Sequence, residues 1–493
     1  MNNVTVTKIN DVWLSVDASI SIKMELSDYF AFYVDNYKFN PKFKQRIWDG
    51  KIRLYQSYTR LLPIGLYSHL LTFCEQYGYS VNNIDDFKTE DKHFDEWVDK
   101  LPLTTGGNKI KPRGYQLECV KKMLFDKATG LMECPTSSGK SLMQYITARY
   151  ALENYDRKVL ITVPTTALVL QMQSDLIDYS STDDNFSSKD IHIIMSGKEK
   201  DSGDVRVVIS TWQSIGKMPK EWFDQFSCYM ADEAHLATAK NLTNIIQNLT
   251  DCPIKCGLSG TFKESKSHLL ALIGHFGNVF KPVTTRELID AGTVSNLKIK
   301  ALIIQYPLDV LKERKGLPYQ SEVAAITGDV KRNVKLCKLA HGIAKQGKNV
   351  VLMYKHIKHG KELKLICDKL HDKVHIVNGG TDVNERDALR AIAEEEGGLI
   401  IIASIGVFST GISIKRLHVI IMTHPLKSKI IILQTIGRIL RKHDSKAQAT
   451  FIDIVDELKW GKKTKSYSLK HAVERIKLYN SQQFDYTINR IAL

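Results

Sequence analysis

From about residue 120 to 455 the chain alternates short β-branched apolar runs with helical stretches and turn residues, a pattern that few folds accommodate. The runs occupy 159–163, 191–195, 205–210, 350–354, 374–377, 399–403, 419–422 and 450–454. Their near-continuous apolar character suits parallel strands covered by helices on both faces. They form two groups, and the mixed segment 281–298 reads as the connection. At 493 residues the chain exceeds one compact core. The expected organisation is an α/β fold with two parallel-sheet lobes in tandem, 106–290 and 291–460. A small N-terminal α+β domain, 1–105, precedes them, aromatic-rich and running out into TTGGNK, and a basic helical extension, 461–493, follows.

Lys and Arg number 69 against 54 Asp and Glu, and the surplus of 15 positive charges favours a polyanionic partner. A basic protein without such a partner fits the charge as well, so the motifs must decide. The longest apolar runs, such as 398–407, fall short of the roughly 18–20 residues that span a bilayer, and no membrane partner is expected. The start, MNNVTVTKINDVW, lacks the basic opening and apolar core of a secretion signal. The eight cysteines are scattered, and Cys252 with Cys256 finds no second pair at zinc-like spacing. They are expected to be reduced and structural, in a cytosolic compartment.

Residues 132–141 read MECPTSSGKS, and a helical run, LMQYITARYALENY, follows. Small residues leading into Gly-Lys-Ser resemble a P-loop, where backbone N–H groups at a helix N-terminus converge on phosphate oxygens and bulky side chains would block the approach. Pro135, Thr136, Ser137, Ser138 and Gly139 are therefore candidates to wrap a triphosphate. Lys140 would bring charge to its β- and γ-phosphates, and Ser141 a hydroxyl to magnesium. Cys134 stands where the motif has its first glycine. Further on, Asp232-Glu233-Ala234-His235 follows the short apolar run 228–231. A carboxylate at a strand end holds magnesium through its water shell while its neighbour activates the attacking water, so Asp232 is the candidate metal residue and Glu233 the candidate base. An acidic pair alone is as readily a solvated loop; its place after a P-loop lysine, with strands between, favours the sharper reading. In QTIGRILR, 434–441, the spacing of Gln434, Arg438 and Arg441 puts all three on one helix face. Such a face also suits solubility. Guanidinium groups offered to a transferred γ-phosphoryl group contribute about 10³–10⁵ in rate, and from the second lobe they would tie hydrolysis to lobe closure.

Taken in order, CPTSSGKS, DEAH, Ser259-Gly260-Thr261 and QTIGRILR resemble the motif set of superfamily-two helicases and translocases across 110–455. The resemblance implies two RecA-like lobes with ATP and Mg2+ as cofactors. It makes Arg113, Tyr115 and Gln116 an adenine-recognising region and Ser259 to Thr261 a coupling motif, with glycine where alanine is common. Thr165 and Thr166 of PTTAL, and Thr211 and Gln213 of STWQ, match first-lobe contacts that hold phosphates without reading sequence. In the second lobe Lys355 of YKH, Gly379-Gly380 with Arg386, and Thr410 and Gly411 of SIGVFSTG match strand-contacting and nucleotide-sensing positions.

The similarity extends, towards phage recombination helicases, through the N-terminal domain. Residues 39–55 read FNPKFKQRIWDGKIRLY, where Asp49-Gly50 predicts a hairpin turn with Lys51 and Arg53 on one face and Ile52 and Leu54 on the other. With Lys42, Lys44, Arg46 and Trp48 they form a candidate basic and aromatic DNA surface; a solvated hairpin with Trp48 in a core is the plainer alternative. The function implied is an ATP-dependent DNA helicase that unwinds forked, junction and other branched DNA and RNA–DNA hybrids and drives branch migration. Its setting would be the cytoplasm of a phage-infected bacterium, with recombination or single-strand-binding proteins as candidate partners. A duplex translocase, an RNA helicase and a binding protein that uses ATP only as a switch are the alternatives.

Overall fold

The computed structural model describes residues 3–83, 91–126, 130–195, 203–236, 239–262, 266–410, 414–461 and 466–493. It divides into two compact units, Met1–Cys134 with Gly139–Pro282, and Val283–Leu493 with Pro135–Ser138. The eight cysteines are all buried and free. Among the described residues no helix is long and apolar enough to cross a membrane.

The first unit begins with strand Asn3–Lys8, whose residues alternate exposed and buried as a strand with one face on a core does. It pairs with Trp13–Asp17 at the centre of a four-stranded sheet edged by Leu61–Pro63 and Ser80–Asn83. Helices Ile20–Tyr29 and Tyr67–Tyr77 pack with it around Val4, Val6, Leu14, Leu26, Phe30 and Phe73. Tyr55 is buried there and donates its hydroxyl to the Val16 carbonyl at 2.9 Å. At Gly65 a Cβ would collide with the backbone of Ile273 and Gly277, so only glycine lets this module settle on the sheet lobe beside it.

Asp49-Gly50 does not close a hairpin with the residues before it. Those form the short helix Pro41–Lys44, and Lys51–Arg53 pairs instead with Ala31–Tyr33. The left-handed turn is real, with Gly50 at φ +81° and the Tyr37 ring standing where a Cβ would be. What the dipeptide cannot specify is which strand receives the one it launches. Residues 91–105 also differ from expectation, because Phe94, Val98, Leu101 and Leu103 share a core with Val120, Ile146 and Ile161 of the first lobe. TTGGNK is a tight hairpin inside that lobe, Thr104–Thr105 against Asn108–Lys109, with Gly106 and Gly107 both at positive φ.

The first lobe is a seven-stranded sheet in the order Ile191–Ile194, Val207–Thr211, Lys158–Val163, Phe226–Ala231, Ile254–Ser259, Leu131–Glu133, Val279–Phe280, parallel throughout. Successive residues of Lys158–Val163 feed opposite faces. Val159, Ile161 and Val163 enter one core, and Leu160 enters the other with Val208, Tyr229 and Ile245. The second unit repeats the design in the order Val374–Val377, Ile400–Ser404, Val350–Tyr354, Val419–Met422, Gln448–Glu457, Asn296–Gln305, Tyr486–Ala492, again all parallel. Two parallel-sheet lobes in tandem with a small N-terminal α+β module are thus the architecture.

The segment after residue 460, expected as a helical extension, is part of this second sheet. Helix Tyr467–Ser481 leads into Tyr486–Ala492, which pairs along Asn296–Gln305 as an edge strand. Its sequence, YTINRIA, interleaves polar residues because much of it faces solvent, so it carries no apolar run. Arg475, 2% exposed, donates through Nε to Asp453 at 2.8 Å and through Nη1 to the Leu426 carbonyl at 2.6 Å, and Tyr479 donates to Asp453 at 2.9 Å. Replacing Arg475 with Ala strands the Asp453 carboxylate in the core, and the expected loss in urea unfolding is about 3–5 kcal/mol. A loss below about 1 kcal/mol would show that this pair does not bind the terminal helix into the lobe.

Candidate nucleotide site and strand-contacting loops

A parallel sheet delivers the loop after every strand to one edge, and the first lobe collects its polar motifs there. The loop 134–139 follows Leu131–Glu133, PTTAL follows Lys158–Val163, Thr211 ends Val207–Thr211, DEAH follows Phe226–Ala231, and Ser259 ends Ile254–Ser259.

The phosphate loop enters helix Lys140–Asn154 through Ser137 at φ +71° and Gly139 at φ +84°. Left-handed residues alternating with ordinary ones curl the backbone into a concavity of N–H groups, a form that binds anions. The φ of +84° favours glycine at 139, and Gln116 Nε2 lies where a Cβ there would be, which sets the glutamine beside the phosphate loop. Its Oε1 accepts from the Arg113 N–H at 2.8 Å, and Arg113 Nη1 donates to the Tyr115 hydroxyl at 3.3 Å. Cys134, standing for the first glycine, is fully buried, with Sγ 3.6 Å from Cys119 Sγ and its N–H donating to the Ser259 carbonyl at 2.8 Å. Its bulk goes into the core, so the phosphate side stays open.

Lys140 Nζ donates to the Cys134 carbonyl at 3.3 Å and lies 3.7 Å from Glu233 Oε1. Ser141 Oγ is 2.9 Å from the Tyr179 hydroxyl, and Gln144 Nε2 donates to Asp232 Oδ1 at 3.4 Å. Enclosure and the charge of Glu233 push the Asp232 carboxyl up to about 7, against the pull of Lys140. Glu233 sits at φ +47°, a left-handed conformation that costs a non-glycine residue about 1–3 kcal/mol. His235, fully buried, has Nδ1 2.6 Å from Ser259 Oγ and 3.3 Å from Glu233 Oε2. Ser259 Oγ itself donates to the Thr261 carbonyl at 2.8 Å, so it accepts from the imidazole. Lys140, Glu233, His235, Ser259 and Thr261 therefore form one connected chain. Sequence reasoning missed Gln144, Tyr179 and the linking place of His235. Gln144 was findable, one helical turn after Lys140, whereas Tyr179 arrives from the far end of helix Thr166–Tyr179 with no local signal.

Thr165 Oγ1 accepts from the Leu168 N–H and caps helix Thr166–Tyr179; Thr211 does the same for Trp212–Ile215, with Oγ1 2.9 Å from Ser214 Oγ. Thr166 and Gln213 are exposed beside them. In the second unit Lys355 follows Val350–Tyr354 and is exposed, and Arg386 clasps the Asn378 and Gly379 carbonyls at 3.2 and 3.1 Å. Helix Lys429–Ile439 carries Gln434, 8% exposed, one turn from Arg438. Arg441 lies beyond its end, so the expectation that all three share one helix face is corrected. The Thr410 side chain and Gly411 fall outside the described residues.

In the N-terminal module Trp48 is half-buried and donates Nε1 to the Lys51 carbonyl at 2.8 Å. Arg53 pairs with Asp49 at 2.6 Å, and Lys51 Nζ is 3.9 Å from Asp28. Lys42, Lys44 and Arg46 are exposed.

Comparison with known proteins follows this division of the chain. A model described as DNA helicase UvsW, N-terminal, matches residues 5–85; one for the res subunit of type III restriction enzymes matches 109–264; and one for the helicase conserved C-terminal domain matches 331–443. The ATP-dependent DNA helicase uvsW of Enterobacteria phage T4 is 43% identical over 97% of both chains. A DNA 3'-5' translocase, XPB2 of Sulfurisphaera tokodaii, is 24% identical over 73% of this chain and 84% of that one. The crystal structure of T4 UvsW superposes with a TM-score of 0.53 and 40% identity, covering 99% of each chain. Identity of this degree along nearly the whole length of both chains, together with the match of the N-terminal module, means that the chain belongs to the UvsW family of ATP-dependent DNA helicases.

Proposed function

We propose that this helicase works on branched DNA, unwinding forks, junctions and RNA–DNA hybrids and driving branch migration of recombination intermediates in the cytoplasm of an infected bacterium. The observation that carries the reading is the module matched by the UvsW N-terminal model, seated on the first lobe at Gly65 and presenting Lys42, Lys44 and Arg46. Exposed cations of this kind grip phosphates of any sequence, with Trp48, Lys51 and Arg53 shaping the surface behind them. Separating base pairs costs roughly 1.4 kcal/mol per step, so motion must be coupled to hydrolysis or to re-annealing elsewhere. Branch migration breaks and remakes pairs in near balance.

Residues 135–141 wrap the triphosphate with backbone N–H groups, Lys140 counters its β- and γ-charge, and Arg113 and Gln116 hold the adenine. Glu233 takes the proton of the attacking water, and its contact with His235 gives the γ-phosphate state a route to Ser259 and Thr261. Ser141 and Asp232 offer hard oxygen donors where carboxylate charge is in excess, so they fit Mg2+, Asp232 acting through water; the ion would neutralise phosphate charge. Gln434, Arg438 and Arg441 serve the transferred phosphoryl group, and Gly411 senses the nucleotide. Thr165, Thr166, Thr211, Gln213, Lys355 and Thr410 hold the strand, the two capping threonines through their helix-start N–H groups.

Glu233→Gln is expected to bind a fluorescent ATP analogue normally and to lose turnover by about 10²-fold or more, since general-base removal typically has that effect. Normal turnover would refute the base assignment. Replacing Lys42, Lys44 and Arg46 together with Ala should weaken four-way-junction binding and flatten its log–log salt dependence by about 2–3, near one unit per lost phosphate contact. An unaltered slope across a salt titration excludes this surface. Finally, ATPase stimulation and unwinding on forks, four-way junctions, R-loops, linear duplex and RNA, assayed side by side, should favour the branched substrates. Stimulation by RNA alone would overturn the reading.

A further inference from the structure

The second unit holds a cavity of about 520 Å³, touched by these roles only at Lys355, within the range of roughly 300–1,000 Å³ typical of small-ligand pockets. One wall is helix Tyr319–Thr327, with Tyr319 and Ala324; the other is the start of helix Ile357–Asp368, with Lys355, His356 and Lys358, and His424 also lines it. Two of the rings are held in place. Tyr319 is met edge-on by Tyr467 and His471 at 5.7 and 5.3 Å, and His356 by His424 at 5.1 Å. A ring already fixed by its neighbours stacks on a planar ligand with little further ordering.

The wall formed by helix Ile357–Asp368 suits an anion at its N-terminal end, with one carboxylate, Glu362, further along the same helix. Helix Ile357–Asp368 starts at His356, whose side chain makes no cap hydrogen bond to the first N–H groups, and Lys355 and Lys358 stand beside that start. His424 is only 2% exposed, and its Nδ1 has no hydrogen-bond partner among the described residues. Burial pushes its pKa down to about 3, so it is a neutral ring able to hydrogen-bond a polar edge, not a further cation. An anion end, two fixed rings and a buried neutral hydrogen-bonding group add up to the chemistry of one nucleotide. The cavity also opens where Val350–Tyr354 ends, at the Lys355 already read as a strand contact.

We propose that this cavity receives one unstacked base of the bound DNA strand, its phosphate at Lys355, Lys358 and the helix start and its ring against Tyr319 and His356. The inference rests on the strand-contacting reading of Lys355. A base withdrawn from the stack would fix the strand's register on the second lobe.

Abasic scanning tests this on the full chain. A forked DNA sets the register, and its single-stranded arm carries one abasic site at successive positions, keeping every phosphate and removing one base. Anisotropy titrations should show one position at which affinity falls about 5- to 150-fold, the equivalent of roughly 1–3 kcal/mol for a stacked base. Ala324→Trp, which fills the cavity from an exposed helix position, should abolish that one drop while the thermal unfolding midpoint is kept. A flat scan on the native protein despite tight binding of the intact fork overturns the proposal, as does a scan that Ala324→Trp leaves unchanged. Failure of the intact fork to bind at all would overturn the strand-contact reading beneath it.

Discussion

Both large sheets are parallel from edge to edge, and a parallel sheet buried on both faces has only its strand ends for chemistry. The cores demand largely apolar runs such as VLITV at 159–163 and VVLMY at 350–354, where a polar group such as the Thr162 hydroxyl is kept only because it is hydrogen-bonded, here to Tyr229. Every polar motif is therefore pushed to the point where a strand stops. The Asp232 N–H still reaches the Thr162 carbonyl at 2.8 Å, so sheet pairing extends to the first carboxylate and fixes where it stands. Close packing between strands is thereby converted into positional accuracy for side chains that do no packing.

That dependence explains what the sequence discloses. Buried strands advertise themselves because both faces must be apolar, and the motifs are short because each needs only one turn of chain. Lys140, Asp232 and Glu233 are legible for this reason: a few adjacent residues decide their surroundings. Cys134 is instructive in the other direction. As a departure from the phosphate-loop pattern it looks damaging, yet it matters little where the side chain turns into the core towards Cys119. Tyr179 acquires its place only through long-range packing, so nothing local marks it, and His235, though part of DEAH, meets Ser259 only through the pairing of distant strands.

The less legible parts are those where one face is wet or the partner is remote. Lys51–Arg53 is launched by an Asp-Gly turn but taken up by Ala31–Tyr33, a choice made by the module's core. Tyr486–Ala492 has the polar composition of a surface helix or loop, and becomes a strand because Asn296–Gln305 offers it a free edge. Arg438 and Arg441 show how a correct spacing can fail when the helix stops two residues too soon.

The edge strand also sets an order of events. Asn296–Gln305 is the first strand of the second lobe to leave the ribosome, yet it lies between Gln448–Glu457 and Tyr486–Ala492, the last two. Pairing that spans a whole lobe is slow, because the chain between must be gathered before any contact rewards it. The N-terminal module and the first lobe can complete their sheets while synthesis continues. The second lobe must wait with its opening strand unpaired, and in that interval the exposed strand edge is the part of the nascent chain most open to misassociation or to a chaperone.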